Sequence, residues 1–273
     1  MTINCKGKLI DLSTPKVMGI LNVTPDSFFD GGKYKDEKTV VSQVKKMLNE
    51  GATFIDVGAQ SSRPGAELIS EREELERILP IIDLLIDEFP EIVLSIDTFR
   101  GKVAEKCVEA GAALINDISA GHLDDAMLPT VARLKVPIIL MHMRGKPKTM
   151  QQQTDYDDLI HDILKYFSER IAQARSLGIH DIIIDPGFGF SKTSGQNYDL
   201  LKRLNLLQQL ELPLLAGLSR KSMIYKTLEL DAQNALNGTT ALNMYALQKG
   251  VSILRVHDVR EALECIRLSA ALA

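Results

Sequence analysis

The stretch IVLSIDTFRGKVAEKCVEAGAALIND, residues 92–117, decides the fold. It opens with one apolar run, IVLSID from Ile92, and closes with another, ALIND from Ala113. The segment between them reads as a helix, and Gly111, just before the second run, suits a left-handed helix exit. Strand, helix and strand in that order make one unit of a parallel sheet. The unit repeats outward in both directions. VMGILNV from Val17 and FIDVG from Phe54 precede it; PIILMHM from Pro137, DIIID from Asp181, PLLAGLS from Pro213 and SILRV from Ser252 follow. The runs are rich in Ile, Val and Leu, as strands buried on both faces require.

The segments between the other runs also read as helices. Ile160, Ile163, Leu164, Phe167, Ile171 and Ala174 keep helical spacing over several turns, which marks a core-facing stripe. Ser70 and Glu73 form an S-x-x-E capping box ahead of an apolar face, with Pro80 expected to kink that helix. Gly51, Gly178 and Gly250 stand where further helix exits are needed. Eight strand and helix pairs in strict alternation favour a closed α/β barrel, (β/α)8, over an open doubly wound sheet. No linker or shift in composition divides the chain, so residues 1–273 are expected to form a single barrel domain.

The composition fits an ordinary globular enzyme, with 45% hydrophobic and 25% charged residues. A net charge of -4 argues against a nucleic-acid partner. Cys5, Cys107 and Cys265 fall outside any C-x-x-C pattern and suit reduced thiols. MTINCKGKLIDL lacks a signal-peptide core and no stretch is long enough for a membrane span, so the expected compartment is the cytoplasm.

Nearly every strand ends in a polar or glycine-rich cluster: Asn22, Asp56, Asp97, Asn116, His142, Asp185, Ser219 to Lys221, and Arg255 with His257. One aspartate at a strand end is usually a helix cap. Eight polar ends gathered by barrel closure make a site at the C-terminal mouth. Arg255 and His257, on alternate positions, face one side and can hold an anion with Lys221. Ser219 to Ser222 open an expected helix, whose free N–H groups favour an anion too, unless they are only surface charge and a cap. Asp97, Asp185, Asn116 and Lys221 suit the amide and amine edge of a planar heterocycle. His122, His161 and His180 read as loop or surface residues, and the five histidines lack metal-ligand spacing. Two long loops, from Asn22 and from Ala59, follow the first two strands and have the composition of loops that close over a substrate.

MGILNVTPDSF (18–28), DVGAQSSRPGA (56–66), SIDTF (95–99), IND (115–117), DPGFGFSK (185–192), GLSRKS (217–222) and RVHDV (255–259) occur in that order. Together the chain resembles the dihydropteroate synthases over essentially its whole length. The resemblance implies a homodimeric (β/α)8 TIM barrel of folate biosynthesis. It would condense 6-hydroxymethyl-7,8-dihydropterin pyrophosphate with p-aminobenzoate, giving 7,8-dihydropteroate and pyrophosphate, and sulfonamides would inhibit it. It also implies pterin binding by Asp97, Asn116, Asp185 and Lys221. Asn22, Arg63, Arg255 and His257 would hold the pyrophosphate, with Mg²⁺ on Asn22. Phe28, Asp30, Ser62, Arg63, Pro64, Phe190 and Ser222 would surround p-aminobenzoate. Asp97, Lys221, Arg255 and His257 form the implied catalytic set.

The chain departs from the family pattern in two places. It has GAQSSRPGA where GGESTRPGA is usual, so Ser62 lacks a methyl and Gln60 a charge, and it has Arg144 where glutamine is common. The competing activities are a methyltransferase using methyltetrahydrofolate and a non-catalytic pterin-binding paralogue. NVTPDSF, SRPGA and RVHDV oppose the first, and the presence of every anion-binding and loop group opposes the second.

Overall fold

The computed structural model describes residues 1–23, 33–60 and 68–272. Eight parallel strands follow a short antiparallel hairpin of β1 (Thr2–Cys5) and β2 (Lys8–Asp11). They are β3 (Lys16–Asn22), β4 (Phe54–Gly58), β5 (Leu94–Asp97), β6 (Leu114–Asp117), β7 (Ile138–Met141), β8 (Ile182–Asp185), β9 (Leu215–Ala216) and β10 (Ile253–Val256). Their spatial order is β8-β7-β6-β5-β4-β3-β10-β9. A parallel bridge from Ile184 to Leu214, with Ile184 N–H donating to Pro213 O at 3.0 Å, joins the two ends and closes the barrel.

The helices are α1 (Lys33–Asn49), α2 (Glu71–Glu88), α3 (Gly101–Glu109), α4 (Met127–Leu134), α5 (Leu159–Ser176), α6 (Ser194–Lys202), α7 (Ser222–Thr227), α8 (Leu236–Gln248) and α9 (Val259–Ala271). The α5 stripe is as expected: Ile160, Ile163, Phe167, Ile171 and Ala174 are buried against the strands. Ser70 Oγ accepts from Glu73 N–H at 3.2 Å, but Glu73 pairs with Arg77 instead of reaching back, so only half of the expected capping box exists. The reciprocal box is at Thr193 and Gln196. Helix α2 runs through Pro80 as one element. At the helix exits Gly51, Gly111, Gly178 and Gly250 all have positive φ. The first long loop is shorter than its composition suggests, because α1 already begins at Lys33.

Strand alternation sorts most strand side chains into two cores, while Met141 joins a smaller cluster with Ile118, Met143, Met150 and Phe190 at the mouth end. Val17, Leu21, Ile55, Val57, Leu94, Ile96, Ile138, Leu140, Ile182 and Ile184 face the helices. Met18, Phe54, Leu114, Ile139, Ile183, Leu215 and Ile253 fill the barrel's lower interior. The hairpin covers that end, adding Ile3, Cys5, Ile10 and Leu12 to the same cluster. Lys6 and Gly7, both at positive φ, make the tight turn that lets the ribbon fold back. The polar and apolar alternation of TINC is a local signal for the first of these strands, whereas KLID does not alternate and leaves Leu9 exposed.

Candidate active site

Two residues beyond the apolar bottom layer, the inward positions become polar. Phe54 gives way to Asp56, Leu114 to Asn116, Ile183 to Asp185 and Ile253 to Arg255, as the two-residue period of a strand dictates. Their side chains meet across the interior. Arg255 Nε donates to Asp56 Oδ2 at 2.6 Å, and Nη2 donates to Asp97 Oδ2 at 2.8 Å. Asn116 Nδ2 donates to Asp56 Oδ2 at 2.9 Å, and Ser95 Oγ donates to Asp56 Oδ1 at 2.6 Å. Asp56 has no exposed surface, and it anchors residues from β5, β6 and β10. It was noted in the sequence only as one strand end among eight and given no role. The signal was the register: it stands two residues after Phe54, as Asn116 stands after Leu114.

Burial shapes the charges here. Desolvation raises the Asp97 carboxyl to about 7, opposed by Arg255 and reinforced by Asp56. Burial would lower the Arg255 guanidinium, but Asp56 and Asp97 outweigh it and hold it firmly protonated. The Asp185 carboxyl is likewise raised by burial, while Gly187 N–H at 2.8 Å and the charges of Lys221 and Arg255 pull it down. At both carboxyls burial outweighs the cations, so each gives up its proton less readily than a solvated carboxyl does.

The remaining expected residues fall around this net. Lys221 Nζ lies 4.5 Å from the centre of the Phe190 ring. Ser222 is the first residue of α7, which has six residues, so the expected helix after the GLSRKS motif is short. His257, just past β10, shares Ser219 Oγ at 2.9 Å through Nδ1, and desolvation followed by the Arg255 charge lowers its pKa. Arg220 turns away from the mouth and makes two hydrogen bonds of 2.9 Å to Asp258. Asn22 ends β3 beside Gly58, and its amide makes no hydrogen bond to the described residues. Phe28, Asp30, Ser62, Arg63 and Pro64 lie outside the described residues. Among the described residues no group of three or more His, Cys, Asp or Glu could hold a metal ion.

The two departures have local settings. Gln60 Oε1 accepts from Arg100 Nη1 at 3.0 Å, and the same guanidinium pairs with buried Glu74 and donates to Ile69 O at 2.5 Å. A second carboxylate at position 60 would compete with Glu74 for one cation. Arg144 pairs with Asp162 at 2.8 Å and lies 3.8 Å over the Tyr156 ring, so it ties the segment after β7 to α5.

A sequence model of pterin-binding enzymes matches residues 18–257. The dihydropteroate synthase of Escherichia coli K12 is 43% identical over 273 residues, spanning 99% of this chain and 96% of its own. The chain belongs to the dihydropteroate synthase family. It is accordingly a transferase with the family's closed barrel. The Yersinia pestis dihydropteroate synthase, solved as a sulfonamide drug complex, superimposes with a TM-score of 0.93 at 43% identity, covering 100% of this chain and 99% of that one. The Xanthomonas albilineans dihydropteroate synthase with 4-aminobenzoic acid gives a TM-score of 0.92 at 39% identity, covering 99% and 97%.

Proposed function

We propose that the barrel mouth joins 6-hydroxymethyl-7,8-dihydropterin pyrophosphate to p-aminobenzoate, releasing pyrophosphate. The observation that carries this reading is the net of Asp56, Asp97 and Asn116 around Arg255, with Asp185 nearby. Buried acceptors fixed in place by Arg255, Asn116 and the Gly187 N–H keep further lone pairs that match the donor-rich edge of a pterin ring. Asp185 and Asn116 take the pyrimidine edge, and Asp97 and Lys221 complete the pterin site. Phe190 and Ser222, with Phe28, Asp30, Ser62, Arg63 and Pro64, make the p-aminobenzoate subsite. Sulfonamides would compete there, as the relatives' complexes suggest.

The carbon–oxygen bond breaks first, and its electron pair leaves with the pyrophosphate. The resulting methylene cation is conjugated with the pterin, and Asp97 stabilises the charge that develops as the bond breaks and is absent from the bound substrate. The amine nitrogen then forms the carbon–nitrogen bond and gives up a proton. Arg255 uses two N–H groups on Asp56 and Asp97, which leaves others for the departing anion, with His257, Asn22 and Arg63 beside it. Mg²⁺, when bound, neutralises the leaving group. Asn22 offers a single hard oxygen, which suits an ion held mainly by phosphate oxygens and water.

A homodimer in the cytoplasm, each chain acting as one domain, completes the proposal; among the described residues no helix is long and apolar enough to cross a membrane. Pyrophosphate release that requires both substrates tests the activity. Release undiminished after complete chelation overturns the metal's part in it.

A further inference from the structure

Lys192 is a buried lysine that the mechanism above does not use. It is 3% exposed, and its Nζ lies 3.0 Å from each of three acceptors: His142 Nδ1, Gly187 O and Phe190 O. Three acceptors around one nitrogen match the three N–H groups of an ammonium. His142 accepts with Nδ1, so its proton is on Nε2, and burial with the Lys192 and Arg144 charges keeps the ring neutral. Among the described residues no carboxylate is paired directly with it, and burial pulls the Lys192 amine down to about 7 against the raising charge of Asp185. A methionine would fill the same space without burying a polar group, so the three hydrogen bonds have a use other than filling the core.

That use is legible in the loop after β8. Gly187, Gly189 and Ser191 all have positive φ, an unusual density of left-handed backbone that must be held in place. Gln151 holds Gly189 O at 3.0 Å and Tyr156 holds Ser191 O at 2.9 Å. Lys192 holds the two carbonyls that matter most to the site. One is Phe190's own. The other belongs to Gly187, which also accepts from Phe190 N–H at 3.1 Å and donates its N–H to Asp185.

We propose that Lys192 is a positioning residue for the aromatic amine, fastening the loop after β8 so that Phe190 is set in place against Lys221. The proposal rests on the reading of Phe190 as part of the amine's subsite. In the full-length protein, Lys192→Met should raise the KM for p-aminobenzoate about tenfold, the scale of a misplaced substrate-orienting group, while kcat and the pterin pyrophosphate dissociation constant change by less than about threefold. The deciding measurement is a double-mutant cycle with Phe190→Leu. If Lys192 acts through Phe190, the two KM effects are strongly non-additive, whereas a lysine that only supports the fold gives independent effects.

Should Lys192→Met not fold, His142→Leu removes one acceptor while leaving the lysine, and the same cycle applies. Additive effects, or an unchanged amine KM in a folded variant, overturn the proposal. An unaltered KM in Phe190→Leu alone overturns the subsite reading beneath it. A parent protein that releases no pyrophosphate overturns the activity itself.

Discussion

Asp97 and Asp185 are both buried carboxylates at strand ends, yet their settings predict different losses. Asp185 takes one N–H from Gly187 and keeps acceptor capacity for a ligand. Asp185→Asn must turn a donor toward ring donors and should weaken pterin binding by about 2 kcal/mol or more, measurable by calorimetry. Asp97 touches Arg255, and Asp97→Asn removes charge while keeping size. The variant should lose roughly 10²-fold to 10³-fold in kcat with a much smaller change in pterin affinity. A variant that melts early but turns over normally would make Asp97 structural. The raised carboxyl also sets a sign. Because Asp97 loses its charge as pH falls through about 7, kcat/KM should decline below that value, and the limb should be absent in Asp97→Asn. For stability the direction reverses. Between 3.8 and about 7 the folded chain holds a proton that the unfolded chain has released, so rising pH costs stability across that window. The melting temperature of Asp97→Asn relative to the parent should therefore climb over the same range.

Loops and caps carry the next level of organisation. Arg144→Gln, which restores the common family residue, removes the Asp162 pair and the stacking on Tyr156. It should cost about 1 kcal/mol and speed proteolysis after β7, with pterin affinity unchanged. Gly187→Ala should be far worse, since its Cβ would meet His142 O at 2.2 Å from a backbone φ of +69. Loss of folded protein, read by circular dichroism, is the expected outcome. At this level the sequence was most informative for strands, whose Ile, Val and Leu runs declare themselves, and for Gly51, Gly111, Gly178 and Gly250. It was less so where a role depends on partners distant in the chain. Asp56 and Arg255 are separated by 199 residues, and no local pattern joins them. Lys192 lay within a quoted motif, yet a lysine is normally solvated, and only packing around β8 shows that this one is not. The missing half of the Ser70 box has the same origin: Glu73 found Arg77 one turn on.

At the scale of the molecule, the barrel's two ends are unlike. The N-terminal hairpin seals one with Ile3, Cys5, Ile10 and Leu12, and Asn4 N–H is fixed to Asp181 Oδ2 at 3.1 Å. Deleting residues 1–12 should lower stability by on the order of 5 kcal/mol, from the apolar surface uncovered, and thermal melting would measure it. An unchanged midpoint would show that the hairpin merely rests on the barrel. The seal also decides traffic. The molecule is a cup and not a tube: arrivals and departures share a single rim. Whatever settles among Asp56, Asp97 and Asp185 rests on the apolar layer that the hairpin closes from below. Nothing can therefore be pushed out from that side. Pyrophosphate has to leave by the rim through which the amine enters, and the finished product must back out the way its halves came in.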